Sequence, residues 1–152
     1  MFGLGGIYAL ERLAQEHPEI YHIQIMQLFC AFVRHPPARE DEPTGDGKEP
    51  DGGEGKTQPA RADIYAVMKA VGTRSRVQIN IERKEDYRMD FSGADLNKMF
   101  LYELNLSGAV FTKANLSGAS LIKINFSDAH FYGEANLSGT CLLYTSPSPR
   151  DS

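Results

Sequence analysis

The chain has little of what marks secreted, membrane-spanning or disulfide-stabilised proteins. Its 152 residues include only two cysteines, Cys30 and Cys141, so no disulfide framework is available and a reducing compartment is expected. The sequence contains no run of 18 or more apolar residues, and its first residues lack the basic and then apolar plan of a signal peptide. As written, the chain is predicted to be a soluble cytoplasmic protein without a membrane partner.

Excess positive charge and metal-ligand spacing are lacking too. The formal net charge is −4, and residues 36–60 alone account for it, with seven acidic and three basic side chains. The rest of the chain is neutral overall, so binding of nucleic acid through charge has no support. The four histidines have no ligand spacing with Cys30 or with carboxylates. We therefore predict no catalytic, cofactor-binding or metal-binding residues, and no nucleic-acid partner.

Residues 36–60 have the composition of a linker. They contain five of the eight prolines, five glycines and no apolar residue larger than alanine or proline. Such a segment buries too little apolar surface to offset the entropy of ordering it. We predict a disordered acidic linker over 36–60.

Helical periodicity is present on both sides of this linker. In residues 1–35, Ile7, Leu10 and Leu13 follow helical spacing, and a second apolar stripe runs from Glu19 to His35. After the linker, residues 61–88 begin with a helical face built on Ile64 and Val71. The sequence therefore predicts a helical region over 1–35 and a further helix early in 61–88.

Strand-like alternation follows in the same segment. Val77, Ile79 and Ile81 alternate with polar residues, which is typical of a half-buried strand. We predict that this strand pairs with the first repeat that follows and covers its open edge.

The rest of the chain is organised by a period of five. Between residues 89 and 140 an apolar residue returns at every fifth position nine times in succession. The series is Phe91, Leu96, Leu101, Leu106, Phe111, Leu116, Leu121, Phe126 and Phe131. Neither a helix nor a strand has this period, so the chain must turn a corner about every five residues and stack its turns as a solenoid.

The repeated words, such as ADLNK, AVFTK, ANLSG and ASLIK, resemble the pentapeptide-repeat family with its pattern A-(D/N)-L-x-x. The resemblance implies a right-handed, four-sided β-helix with twenty residues per coil, here about 2.5 coils over 89–140. The N-terminal helical blocks resemble the region that precedes the repeats in some bacterial members, where membrane-spanning helices often lie further upstream. If such a segment precedes this one, the intact protein is membrane-associated.

The last residues, 141–152, have a different character. The sequence CLLYTSPSPRDS loses the five-residue period after Leu142, and its wording resembles translated sequencing-adapter read-through. We expect this tail to be non-native and the solenoid to be truncated before it.

Stacking residues twenty apart predicts which side chains lie inside and outside. One residue is inserted after Phe131, and a bulge at Gly133 or Glu134 would absorb it and leave Leu137 above Leu116.

One outer side of the predicted coils departs from the polar pattern of the others. The side built on Leu101 and Leu121 carries large apolar residues and one pair of opposite charges. These are Phe100, Tyr102 and Ile122, with Glu103 and Lys123. Either a protein partner or the chain's own N-terminal helices should cover this candidate partner face.

The resulting interpretation is a non-enzymatic scaffold or protein-interaction module, because solenoids expose long regular surfaces rather than clefts. One alternative is a topoisomerase-protecting DNA mimic, as some members of the resembled family are. Five acids and three lysines between Met89 and Gly139 give only −2, which argues against mimicry. The other alternative is the repeat domain of a membrane-tethered sensor.

Overall fold

The computed structural model describes residues 4–36 and 62–143. Four helices come first, followed by three short strands within the repeats. They are α1 (Leu4–Glu16), α2 (Pro18–Arg34), α3 (Ala62–Gly72), α4 (Arg76–Lys84), β1 (Phe100–Tyr102), β2 (Ser120–Ile122) and β3 (Cys141–Leu143). The predicted linker from Pro37 onwards and the tail beyond Leu143 lie outside the described residues.

The predicted N-terminal helices are confirmed as α1 and α2. Pro18 starts α2, where its fixed φ suits the first helical turn and its missing N–H costs nothing. The buried stripe of α2 includes Met26, Phe29 and Val33, and packs against α1, α3 and α4. Periodicity thus located the helices, and burial of their apolar stripes holds them together.

The predicted strand over Val77, Ile79 and Ile81 is wrong, because this segment forms α4. Ser75 and Gln78 make a capping box: the Ser75 side chain accepts from the Gln78 backbone N–H at 3.2 Å, and Gln78 Oε1 accepts from the Ser75 N–H at 2.8 Å. The buried residues of α4, Gln78 and Glu82, are polar, so the alternation of apolar residues does not mark the buried face of the helix. Local capping and buried polar contacts outweighed the pattern of period two.

Helices, rather than a strand, cover the first coil. The backbone N–H of Asn105 donates to the carbonyl of Gly72 at the end of α3, at 2.8 Å. A Cβ on Gly72 would stand 2.5 Å from Cβ of Leu104, so only glycine allows this approach. Arg34 of α2 donates to the carbonyl of Asp90 at 2.7 Å. The predicted capping strand is therefore replaced by a helical layer.

The repeats stack in parallel at four positions. β1 pairs with β2 and β2 with β3, so that Leu101 lies beside Leu121 and Leu121 beside Leu142. Single parallel bridges extend the same stacking through three other columns. These are Asp90, Val110 and His130; Asp95, Asn115 and Asn136; and Asn105 with Asn125. Strand β3 begins at Cys141, so the first three residues of the predicted tail continue this sheet.

The inserted residue is absorbed as predicted. Val110 pairs with His130 at a spacing of twenty, whereas Asn115 pairs with Asn136 at twenty-one, so the extra residue lies between these two pairs. Gly133, within this interval, has a φ of +70°, a left-handed conformation that glycine adopts at little cost. The Leu116 N–H donates to the Asn136 carbonyl at 2.7 Å, which brings Leu137 next to Leu116 in the stack.

A column of phenylalanines fills the interior. The ring of Phe111 stacks on Phe91 with centroids 5.5 Å apart and on Phe131 at 5.0 Å. The ring of Phe126 meets Phe111 edge-on at 5.9 Å. Phe91 and Phe111 are completely buried. The stacking of residues twenty apart is thus confirmed inside the repeats as well as along their backbone.

Candidate functional site: the outer face of the three-stranded sheet

The candidate partner face is the outer surface of β1 and β2. Because side chains alternate along a strand, burial of Leu101 and Leu121 turns their neighbours outward. Phe100 is 56% exposed and Tyr102 is 46% exposed, whereas Ile122 is half-buried. The pleat alone therefore presents two large aromatic side chains to the outside.

The charged pair beside these residues is formed. Lys123 Nζ lies 3.9 Å from Glu103 Oε2, and it also lies 5.9 Å from the centroid of the Tyr102 ring. Glu103 and Lys123 both have left-handed φ values, 57° and 59°, which place them at the same corner of successive coils. Both side chains are about half exposed, so the pair contributes little stability. The two charges cancel, so the candidate partner face as a whole carries no net charge.

The four helices do not cover this face. The end of α3 contacts the first coil after strand β1, where Gly72 meets Leu104 and Asn105. Phe100 and Tyr102 stay exposed in the presence of α1 to α4. The alternative in which α1 or α2 lies across the face is therefore wrong.

A buried polar cluster, which the sequence reasoning missed, lies beneath α4. His22 is fully buried on α2, and its Nε2 donates to Glu82 Oε2 at 2.7 Å. Gln78 Nε2 lies 3.1 Å from His22 Nδ1 and donates to it, because Gln78 Oε1 already accepts from Ser75. Arg74 Nε lies 3.1 Å from Glu82 Oε2, an ion pair whose N–H does not point along a hydrogen bond.

Burial changes the acidity of several groups around this cluster. Desolvation lowers the pKa of Arg74, while the charge of Glu82 acts in the opposite direction. Desolvation raises the pKa of Cys30 to about 11, although a hydrogen bond from Tyr87 opposes the shift. The pKa of Tyr87 is raised mainly by its own burial. Because His22 is fully buried and Arg74 and Glu82 are nearly so, the cluster links α2 to α4 and to Arg74, which precedes α4.

One local signal could have revealed part of this cluster. The sequence Ser75-Arg76-Val77-Gln78 has the spacing of a capping box, which predicts a helix start and places Gln78 and Glu82 on one face. His22 and Glu82 are 60 residues apart, so no local pattern joins them.

Over residues 4–36 and 62–143, no group of three or more His, Cys, Asp or Glu side chains is placed to hold a metal ion. No helix in this part of the chain is long and apolar enough to cross a membrane.

Parallel stacking at a constant interval, with an aromatic patch on one outer side, defines the class of protein as a repeat protein with a structured outer surface. The profile of pentapeptide repeats matches residues 90–128 and 114–143, in eight copies. Residues 90–143 thus consist of pentapeptide repeats, and such repeats imply a β-helix solenoid. Comparison with curated proteins and with solved structures finds no significant match.

Proposed function

We propose that residues 89–140 form a right-handed, four-sided β-helix of about 2.5 coils that acts as a non-enzymatic scaffold for protein contacts. Support comes from the parallel pairs, which lie at four positions between the first and second coils and at three positions between the second and third within the described residues. The interior of the coils is filled by aromatic and aliphatic side chains, so their outer surface is the part available to a partner.

The observation that carries this proposal is the exposure of Phe100 and Tyr102 on a rigid sheet. Aromatic residues dominate the binding energy of protein interfaces, because they bury large areas with few rotatable bonds. Here their backbone is held by hydrogen-bonded strands, so little backbone conformational entropy is lost when a partner binds. The neighbouring pair of Glu103 and Lys123 is neutral overall, which favours a partner surface that is apolar at its centre.

The experiment compares the wild-type chain with the double variant Phe100→Ser/Tyr102→Ser as immobilised bait for cell extract. Proteins retained by the wild type should be lost from the variant, while the midpoint of thermal unfolding stays within about 2 °C, because both side chains are exposed. The matched control is Tyr8→Ser/Tyr65→Ser on α1 and α3, whose side chains are 55% and 42% exposed. Retention of the same proteins by the Phe100 and Tyr102 variant would refute this role for the face.

DNA mimicry is a weaker candidate. The charge of −2 between Met89 and Gly139 is far from the dense acidic surface that imitation of a phosphate backbone needs.

A further inference from the structure

A groove of about 1050 Å³ lies between α4 and the side of the coils that carries Asn105 and Asn125. Arg76, Asn80 and Arg83 line it from one face of α4, since positions four and seven residues apart lie on the same side of a helix. This volume is at the upper end of the range for small-molecule pockets. The groove is on a different surface from Phe100 and Tyr102, which do not line it.

The lining of the groove has a net positive charge, because four arginines outnumber three acids. Arg74 at its base is already paired with Glu82. Three further arginines, Arg76, Arg83 and Arg88, line the walls, against two further acids, Asp86 and Asp128. The guanidinium groups of Arg76 and Arg83 have no ion-pair or hydrogen-bond partner within the described part of the chain. They are seven residues apart on α4, which separates them by about 10 Å along the helix axis.

Arg88 is held in place by the coils themselves. Its Nη1 donates to the carbonyls of Gly108 at 2.9 Å and Asp128 at 3.2 Å. This bridge fixes one guanidinium across two successive coils and leaves its other N–H groups for a ligand. A preorganised arginine loses less entropy on binding a carboxylate than a free one does.

The opposite wall offers more hydrogen-bond donors. Asn105 Oδ1 accepts from the backbone N–H and the hydroxyl of Ser107, at 3.0 and 2.7 Å. Asn125 Oδ1 accepts in the same way from Ser127. With their oxygens occupied, both amides can present only their Nδ2 donors, for which no partner is found among residues 4–36 and 62–143. Arginines on one wall therefore face amide donors on the other.

We infer that this groove binds an acidic peptide segment of a partner protein in extended conformation. Arginine and carboxylate form strong, charge-assisted hydrogen bonds, and the donor-rich walls match carboxylate and backbone carbonyl oxygens. An extended chain rises about 3.3 Å per residue, so acidic residues about three positions apart reach both Arg76 and Arg83. The groove is a second binding site, independent of the candidate partner face.

The test is a titration of the 152-residue chain into a fluorescein-labelled peptide, twelve residues long, with glutamate at every third position and glycine elsewhere, followed by fluorescence anisotropy at low salt. Arg76→Gln/Arg83→Gln should weaken binding at least tenfold. Lys69→Gln/Lys84→Gln removes the same charge outside the groove lining and should change the affinity less than twofold. Added salt should weaken binding by the wild type more than by the arginine variant. In NMR spectra, the side-chain amide signals of Asn105 and Asn125 should shift during the titration.

Several results would overturn the inference. One is equal binding of a peptide with glutamine in place of glutamate. Another is an affinity of the arginine variant within twofold of wild type. The third is no binding up to millimolar peptide. In a third variant, the seven acidic residues of 36–60 are changed to asparagine or glutamine. We expect its affinity to stay within threefold. A gain of tenfold or more would assign the groove to the chain's own acidic segment and overturn the partner peptide.

Discussion

Truncation of Phe111 to alanine should be the most damaging change within the repeats. Its ring is fully buried and lies between those of Phe91 and Phe131, at centroid distances of 5.5 and 5.0 Å. Replacing it removes two stacked contacts, removes the edge-on contact with Phe126, and leaves a cavity between the rings of Phe91 and Phe131. Core Phe→Ala changes cost about 3 to 5 kcal/mol. If the total stability lies at the lower end of the usual range, about 5 kcal/mol, a loss of about 5 kcal/mol unfolds about half of the molecules.

The assay is urea unfolding followed by far-UV circular dichroism, since the chain has no tryptophan to report by fluorescence. Phe100→Ala is the control, because that ring is 56% exposed and its loss should cost less than about 1 kcal/mol. Phe131→Ala should fall between the two, as Phe131 is only partly buried in the last coil. If Phe111→Ala cost no more than Phe100→Ala, the stacked column would contribute nothing and the reasoning would be refuted.

Two further predictions concern the helical layer. Glu82→Gln should destabilise the fold by about 3 kcal/mol, because it leaves the buried charge of Arg74 without its partner at 3.1 Å. Equal stability of Glu82→Gln and wild type in urea unfolding would contradict this. The raised pKa of Cys30, from 9.0 to about 11, means that the folded state keeps its thiol protonated while the unfolded state loses the proton. Stability should therefore be intact below pH 9 and fall between pH 9 and 11, and Cys30→Val should lose less over that range in parallel urea titrations. An identical pH dependence in Cys30→Val would assign the loss to Tyr87, whose pKa is raised in the same direction.

The period of five was enough to predict the stacking register in the repeats. Apolar residues that return at a constant interval have one arrangement that buries them all, and each coil meets only its neighbours, so local spacing sets the pairs. The same arithmetic predicted the extra residue before Asn136 and the outward position of Phe100 and Tyr102. These features depend on contacts that repeat every twenty residues, which the sequence displays directly.

The helical layer was decided by contacts that the sequence does not display. Val77, Ile79 and Ile81 alternate like a strand, yet the segment is a helix, because Gln78 and Glu82 find buried polar partners on distant parts of the chain. The groove between α4 and the coils likewise exists only because α4 lies beside the coils. By itself the sequence determined the repeating core, where burial depends on spacing. The covering of the first coil and the groove beside it depended on how the helices pack in the tertiary structure. Buried polar groups pair with whichever groups lie within hydrogen-bond distance, however far apart they are in the chain.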